Sequence, residues 1–551
     1  MTSYAHWTLQ ITFFFKKKRG GGGSPHFYRR FEPGLLHCST MQISALLNVL
    51  RSLQRVKMDI KQGPVSSKLA PPESVKGMVQ LNRDAFTKVV KVPAVRIAKC
   101  DIGKTQKALK PLFLKLAKLK PVVEMNDSSS EKSQCLILLD PDKLRDDNLS
   151  QDKKLQLQNL GLDIDNPEMF EVELSYNNWT LSDIMRAILP SDQDSVSTFT
   201  QIGHIAHLNL KEETLPYKHL IGEIIIDKIP SVKTVVNKIG AIDNTFRVFQ
   251  MDLLAGEENY ITQIREHGCA FELDFSKVYW NSRLGTEHAK LTDLIEKGSV
   301  VYDVFAGIGP FAVPLAKKKL CTVFANDLNP SSFEYLKKNM DLNKLANRTI
   351  KAYNLDGREF IKSVVKSHII DRIRSAVAEA NKALSPEANG VSSELEESDI
   401  PVQASIETTR TTAEKQAIPH SYIIMNLPAL AVEFLDSFTS LLQDMPADLK
   451  VPDMLEPFLP HVFCYTFSPK NYLTEDFQSR VEMILGQPLP DPLGVRLVRN
   501  VAPNKEMVCL SFKLWPNLVL GLSEEKEHVD IQEDVVDADV CKEPESKKLK
   551  L

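Results

Sequence analysis

The chain has 551 residues, with 68 Lys and Arg against 71 Asp and Glu for a formal charge of −3, 43% hydrophobic residues and 31 prolines. At roughly 150 residues per domain, that length suggests about three to four units, each able to bury a core, which excludes disorder throughout. Eight cysteines spread singly, without a Cys-x-x-Cys pair, give neither a disulfide framework nor a zinc site and point to a reducing compartment. No run approaches the ~20 consecutive apolar residues of a membrane-spanning helix.

The near-neutral total conceals strong local bias. Residues 1–58 hold nine Lys and Arg and the single acid Glu32, a balance of +8. This acid-poor, partly amphipathic segment resembles an organelle transit peptide, which predicts a mitochondrial destination; a disordered arm, or a start at Met41 or Met58, are the alternatives. Over 76–190, short apolar runs (Val122-Val123, Cys135 to Leu139) alternate with charged helical stretches and predict a small α+β domain. Within it, residues 83–120 carry eleven Lys and Arg against two acids, a balance of +9 around Leu112-Phe113-Leu114. Lysines so spaced form a solvated helix face, and the lopsided balance also suits contact with phosphate. Pro190 to Ser195 reads as a linker. Over 198–285, strands are predicted at Ile202 to Leu208, at Ile224-Ile225-Ile226 and at the strictly alternating Ala270 to Phe275, giving a second α+β domain.

From 286 to 515 the pattern becomes strand–turn–helix: strands at Ser299 to Phe305, Thr322 to Ala325, Lys351 to Asn354 and Tyr422 to Met425, with helices at Phe311 to Lys319 and Ser331 to Asn343. Strands separated by crossover helices predict an α/β fold with a doubly wound, Rossmann-like parallel sheet. Residues 371–419, rich in Ala, Ser, Glu and Thr, read as a flexible insertion. Residues 516–551, with ten acids and five lysines, read as a disordered acidic tail whose closing Lys547-Lys548-Leu549-Lys550 has the composition of a nuclear signal.

Ligands of such sheets sit beyond the carboxyl ends of the strands. The first end reads Asp303-Val304-Phe305-Ala306-Gly307-Ile308-Gly309-Pro310, an acid followed by a glycine turn that lets a backbone approach a ligand. The dinucleotide fingerprint is not completed, because Ala312 stands where its third glycine belongs. The second end, Asn326-Asp327-Leu328-Asn329, places a carboxylate about 20 residues on, suited to both hydroxyls of a ribose. The third is Asn354-Leu355-Asp356-Gly357, suited to an adenine amine, and the fourth is Asn426-Leu427-Pro428-Ala429. This set resembles the class I S-adenosylmethionine-dependent methyltransferases; a nicotinamide dehydrogenase accounts for the glycines and the acid but not for Asn-Leu-Pro.

Further motifs narrow the resemblance: Gly203-His204-Ile205-Ala206-His207-Leu208-Asn209-Leu210, Phe246-Arg247, Leu254 to Glu257, Lys277 to Leu284, Thr286-Glu287-His288 and Asn500 to Glu506. In this order they are similar to the eukaryotic and archaeal tRNA guanine-37 N1-methyltransferase family over about 76–515. The resemblance implies transfer of a methyl group from S-adenosylmethionine to guanosine 37 beside the anticodon, a modification that supports the reading frame and opens wybutosine synthesis in phenylalanine tRNA. It also implies a monomer and a tRNA-binding role for 76–190; the terminal segments point to mitochondrion, nucleus and cytoplasm, and no metal is expected, since methyl transfer from a sulfonium is a direct displacement.

Guanine N1 carries a proton at neutral pH, so its methylation needs a base, and charge then builds on O6. The resemblance assigns Glu287 as base, Arg247 to O6 and Asn426 to hold the ring. It assigns His288, Asp303, Gly307, Asp327, Leu328, Asp356, Gly357 and Asn426 to the cofactor. Without it, Arg247 and Glu287 read as a surface ion pair, and His204 and His207 as structural. Two other functions are carried forward: a wybutosine-pathway enzyme moving the aminocarboxypropyl arm of the same cofactor, and a catalytically silent RNA-binding protein.

Overall fold

The structure, a computed structural model, describes residues 69–98, 102–125, 134–145, 151–162, 164, 166–190, 199–240, 246, 248, 250–345, 349–384, 418–470, 472 and 474–522. The basic arm, linker residues 191–198, Arg247, residues 385–417 of the insertion and the tail beyond 522 lie outside the described residues.

The first sheet is antiparallel, with β1 (Lys88–Ala98), β2 (Val122–Met125), β3 (Gln134–Leu138) and β4 (Glu168–Leu174) in the order β2-β3-β1-β4. Leu112 and Phe113 pack with Val95 and Ile137, while Lys107, Lys110, Lys115, Lys118 and Lys120 stay exposed around them. The apolar run is thus an anchor for a basic surface.

A second sheet contains β5 (Thr200–Ile202), β6 (Ile205–Leu208), β7 (Thr234–Ile239) and β8 (Gln250–Gly256) in sequential order, with only β6 and β7 parallel. Two expectations are corrected here. Ile202 to Leu208 is two strands joined by a tight turn, with Gly203 at φ +57°. Ile224-Ile225-Ile226 is helical, part of α1 (Lys218–Lys228), whose buried Leu220, Ile221, Ile224 and Ile225 recur at the helical spacing. A short apolar run does not by itself distinguish a strand from a buried helix.

β9 (Ile261–Glu266) and β10 (Cys269–Asp274) form a two-stranded ribbon. Its outer edge lies against α4, defined below. Asn339 Oδ1 accepts from the Glu272 amide at 2.7 Å and its Nδ2 donates to the Glu272 carbonyl at 3.1 Å. One turn on, Asn343 makes the same pair with Ala270, at 3.1 and 2.7 Å.

The third sheet has seven strands: β11 (Val300–Asp303), β12 (Thr322–Asn326), β13 (Ile350–Tyr353), β14 (Ser421–Met425), β15 (His461–Pro469), β16 (Gly494–Ala502) and β17 (Lys505–Lys513). Their order is β13-β12-β11-β14-β15-β17-β16. The first five are parallel, as expected for a doubly wound fold, and β17 runs antiparallel between β15 and β16. The helices around it include α2 (Gly285–Leu294), α3 (Ala312–Lys319), α4 (Pro330–Leu342), α5 (Lys366–Leu384) and α6 (Pro516–Leu520). Both faces are buried: Tyr302, Ile423 and Met425 pack into one core, and Val301, Tyr422 and Ile424 into the other, together with Phe271, Leu273 and Trp280. This double burial is why the parallel strands read as near-continuous apolar runs.

Two boundaries are corrected. Residues 371–384 belong to α5, whose buried Ile369, Ile373 and Ala380 follow a helical period that the polar composition obscured. Residues 516–522 belong to the folded body, because Leu518, Val519 and Leu520 fill the first core; the acids of the tail begin only at Glu524.

The strand order reverses between β11 and β14, which opens a crevice at their carboxyl ends. Asn326, fully buried at the end of β12, ties the segments that follow β11 and β13 together: its Nδ2 donates to the carbonyls of Val304 (3.1 Å) and Leu355 (3.0 Å), and its Oδ1 accepts from the Leu355 amide at 2.9 Å. Replacing it by Ala orphans one buried and two part-buried backbone groups, so Asn326→Ala is expected to lose about 2 kcal/mol of stability, read as a lower chemical-denaturation midpoint.

Candidate active site

At the end of β11 the chain turns through Gly307 (φ +56°) and Gly309 (φ +98°). A Cβ at Gly309 would lie 2.8 Å from Leu336 Cδ1 and 2.9 Å from Val313 Cγ2, so only glycine lets the turn pack on α4. A Cβ at Gly307 would meet nothing within 4 Å, and the turn therefore borders open space. The Gly307 amide donates to Asp327 Oδ2 at 2.8 Å, and the Asn329 amide to Oδ1 at 2.9 Å. Asn354 Nδ2 donates to the carbonyls of Asp327 (2.7 Å) and Leu328 (3.0 Å), setting the loop on which the Leu328 side chain is exposed. Asp356 Oδ1 caps the following helical turn through the Arg358 amide at 2.8 Å. A Cβ on Gly357 would lie 2.9 Å from the Phe305 ring and 3.0 Å from the Phe434 ring. The first three strand ends and the helical turn beyond Asn426 thus converge.

The crevice is acidic and electrostatically unfinished. Asp303 is fully buried, and neither of its carboxyl oxygens meets a hydrogen-bond donor at good geometry among the described residues. Burial and the facing Asp327 push its carboxyl well above the usual range, with only partial relief from the Phe305 amide. Burial also raises Asp327, against the hydrogen bonds from Asn329, Gly307 and Ser332. Among the described residues, Asn426 Oδ1 is a third buried acceptor without a partner. Such acceptors call for a cationic ligand. S-adenosylmethionine, with a sulfonium and an ammonium, fits.

A second cluster lies on α2. Glu287 sits in its first turn, where the helix dipole favours a carboxylate, and it is buried. It forms an ion pair with Arg496, in which the carboxylate is buried and the guanidinium is half-buried. Arg496 Nη1 donates to Oε2 at 2.8 Å and Nη2 to Oε1 at 2.5 Å; the Tyr465 hydroxyl donates to Oε1 at 2.7 Å. Arg496 and Tyr465 both stand opposite Cys509 in the β-ladders, so the three cross β16, β17 and β15 in one row on one face. The adjacent His288 is buried, with Nδ1 2.6 Å from Glu266 Oε1. Phe311, from the glycine turn, joins the two clusters: its ring is 4.8 Å from that of His288 and 6.0 Å from that of Tyr465.

His207 packs edge-on against Phe275, and burial with Lys238 and Arg283 nearby pushes it down to about 4, a neutral packing residue. His204 sits in the β5–β6 turn, with Nε2 3.1 Å from the Asn259 carbonyl. Arg247 lies outside the described residues. Sequence reasoning missed Tyr465, Arg496 and Glu266; the available signal was the alternation of Arg496 and Val498 on a strand that ends in the Asn500 to Glu506 motif.

Two family profiles match the chain: one described as the TYW2 N-terminal domain over residues 181–259, and one described as the TRM5/TYW2 methyltransferase domain over 262–391. They meet between β8 and β9. Among curated relatives, a tRNA (guanine(37)-N(1))-methyltransferase of Xenopus tropicalis is 41% identical over 87% of this chain and 87% of its own length. The chain belongs to this family. Its members of the same name in Homo sapiens, 40% identical over 81% of this chain and 78% of theirs, and in Drosophila melanogaster, 37% identical over 88% and 93%, extend the likeness across animals.

Proposed function

We infer that the protein is a tRNA (guanine(37)-N1)-methyltransferase, which moves the methyl group of S-adenosylmethionine to N1 of guanosine 37 in tRNA. The reading is carried by relatives of that name at about 40% identity across more than four fifths of the chain. The crevice supports it: Asp303, Gly307, Asp327, Leu328, Asp356, Gly357 and Asn426, with His288 at the edge of the glycine turn, form the proposed cofactor site. The cofactor supplies an electrophilic methyl. The residues of this chain then bring guanosine 37 to it, exclude water and take the N1 proton. Glu287 is the proposed proton acceptor, Asn426 holds the plane of the base, and Arg247 neutralises O6. Position 37 is stacked within the anticodon loop, so the base must turn out to reach a pocket of this depth. The exposed lysines on the 76–190 segment suit phosphate contacts that fix position without reading sequence.

Incubation with guanosine-37 tRNA and labelled cofactor should yield 1-methylguanosine. A gain of about 101 rather than 14 daltons on the tRNA would instead identify the aminocarboxypropyl transfer, and no product at all the silent binder. The same methylation is proposed to open wybutosine synthesis in phenylalanine tRNA. We further propose, from the +8 balance of residues 1–58, that the protein acts in the mitochondrion as well as in nucleus and cytoplasm. Imaging of the full chain against one starting at Met58 tests this, since only the former should enter mitochondria.

A further inference from the structure

Glu287 is held unusually completely for a group that has to accept a proton. A carboxylate offers about four lone-pair positions. Oε1 already accepts two hydrogen bonds, from the Tyr465 hydroxyl and from Arg496 Nη2, and Oε2 accepts one, from Arg496 Nη1. Among the described residues, one position remains without a donor, on Oε2. We propose that Arg496 and Tyr465 are positioning residues for methyl transfer: they saturate Oε1, balance the charge of the buried carboxylate and fix its rotation, and leave a single lone pair of Oε2 as the site to which the N1 proton goes. This rests on the reading of Glu287 as the base. In the step, the N1–H bond breaks, its electron pair stays on N1, and the proton forms a bond to Oε2; Arg496 and Tyr465 keep their own protons throughout.

Three observations carry the assignment. First, Glu287 is buried, and a buried carboxylate with no cation beside it favours the protonated form, which is useless as a base. The guanidinium removes that penalty and, being a planar fork, also fixes the carboxylate's rotation, which a point charge cannot do. Second, both partners stay protonated: the ion pair raises Arg496 further above its ordinary value, while burial, with Cys509 and Glu287 nearby, lifts the Tyr465 hydroxyl well beyond its own. Neither competes for the N1 proton. Third, the row Arg496, Cys509, Tyr465 is set by strand register rather than by flexible loops. The groups facing Glu287 are Tyr465 on β15, Arg496 on β16, Cys509 on β17, a thiol pushed up to about 12 chiefly by burial, and on its own helix His288 with its partner Glu266. Arg496 is the cation in contact with the carboxylate among the described residues.

The test is the pH profile of single-turnover methylation in Arg496→Met, Arg496→Lys, Glu287→Gln and the double variant Arg496→Met/Glu287→Gln, each first shown to bind S-adenosylmethionine as a check on folding. Without the guanidinium the carboxyl protonates more readily, so the acidic limb of Arg496→Met should move to higher pH, with a plateau about a hundredfold lower from lost alignment. Arg496→Lys keeps the charge but not the fork. Its limb should stay near that of the parent while the plateau falls, and it serves as the folded variant should the methionine variant not bind cofactor. In the Glu287→Gln background the Arg496→Met change should cost little more. An unshifted limb in Arg496→Met, or an unchanged plateau in Arg496→Lys, overturns the positioning role alone. Full activity of Glu287→Gln overturns the base reading and this role with it.

Discussion

Glu287→Gln should lower the single-turnover rate of guanosine-37 methylation by about 10²- to 10⁴-fold, a barrier increase of about 3 to 5 kcal/mol, while leaving cofactor affinity close to that of the parent. The size follows from the chemistry. The N1 proton must leave as the carbon–nitrogen bond forms, and an amide at this position has no lone pair basic enough to take it. Cofactor affinity is spared because the crevice at β11 and β12 is built from other side chains, Asp303 and Asp327. Stability should fall modestly, since the amide can accept from Tyr465 and one nitrogen of Arg496 but presents its own donors to the other. A rate within threefold of the parent would remove Glu287 from the proton path.

Asp327→Ala should act on the other half of the site. Its oxygens already order the glycine turn and the start of α4 through the amides of Gly307 and Asn329, and on the proposed reading they also accept the ribose hydroxyls. Losing hydrogen bonds to a charged acceptor costs about 3 kcal/mol, so cofactor Kd should rise about a hundredfold or more by calorimetry, with tRNA affinity little changed. The pH dependence has a definite sign. The ionised carboxylate is the accepting form, and burial raises this group above the ordinary carboxylate range. Affinity should therefore fall on acidification earlier, at higher pH, than an ordinary Asp would allow. In the Ala variant that component of the pH dependence disappears; a variant that binds cofactor as the parent does would place the ribose elsewhere.

The cofactor half of the site was legible because its residues follow strands in sequence. Asp303 closes its strand, Asp327 stands one position beyond the next and Asp356 three positions beyond the third, and period alone locates those strands. The catalytic half was legible only in part. Glu287 and His288 stand together in one motif, but their partners are 22 to 209 residues away in the chain. Arg496 reaches Glu287 only because β17 enters antiparallel between β15 and β16, and strand order is a tertiary outcome that local pattern does not encode. The misread elements have a common cause. Ile224-Ile225-Ile226 and the polar helix through residue 384 both lack the signals that composition provides, and the burial that fixes them comes from other segments.

Asn339 and Asn343 have a consequence beyond holding a ribbon in place. β10 has β9 on one side only, and the outward amides and carbonyls of Ala270 and Glu272 would otherwise form a template for a further strand. The two carboxamides occupy all four groups, acting as a side-chain imitation of the missing neighbour. The β10 edge of the ribbon that presents Glu266 to His288 is thereby closed to intermolecular strand addition, so that edge does not become a seed for aggregation.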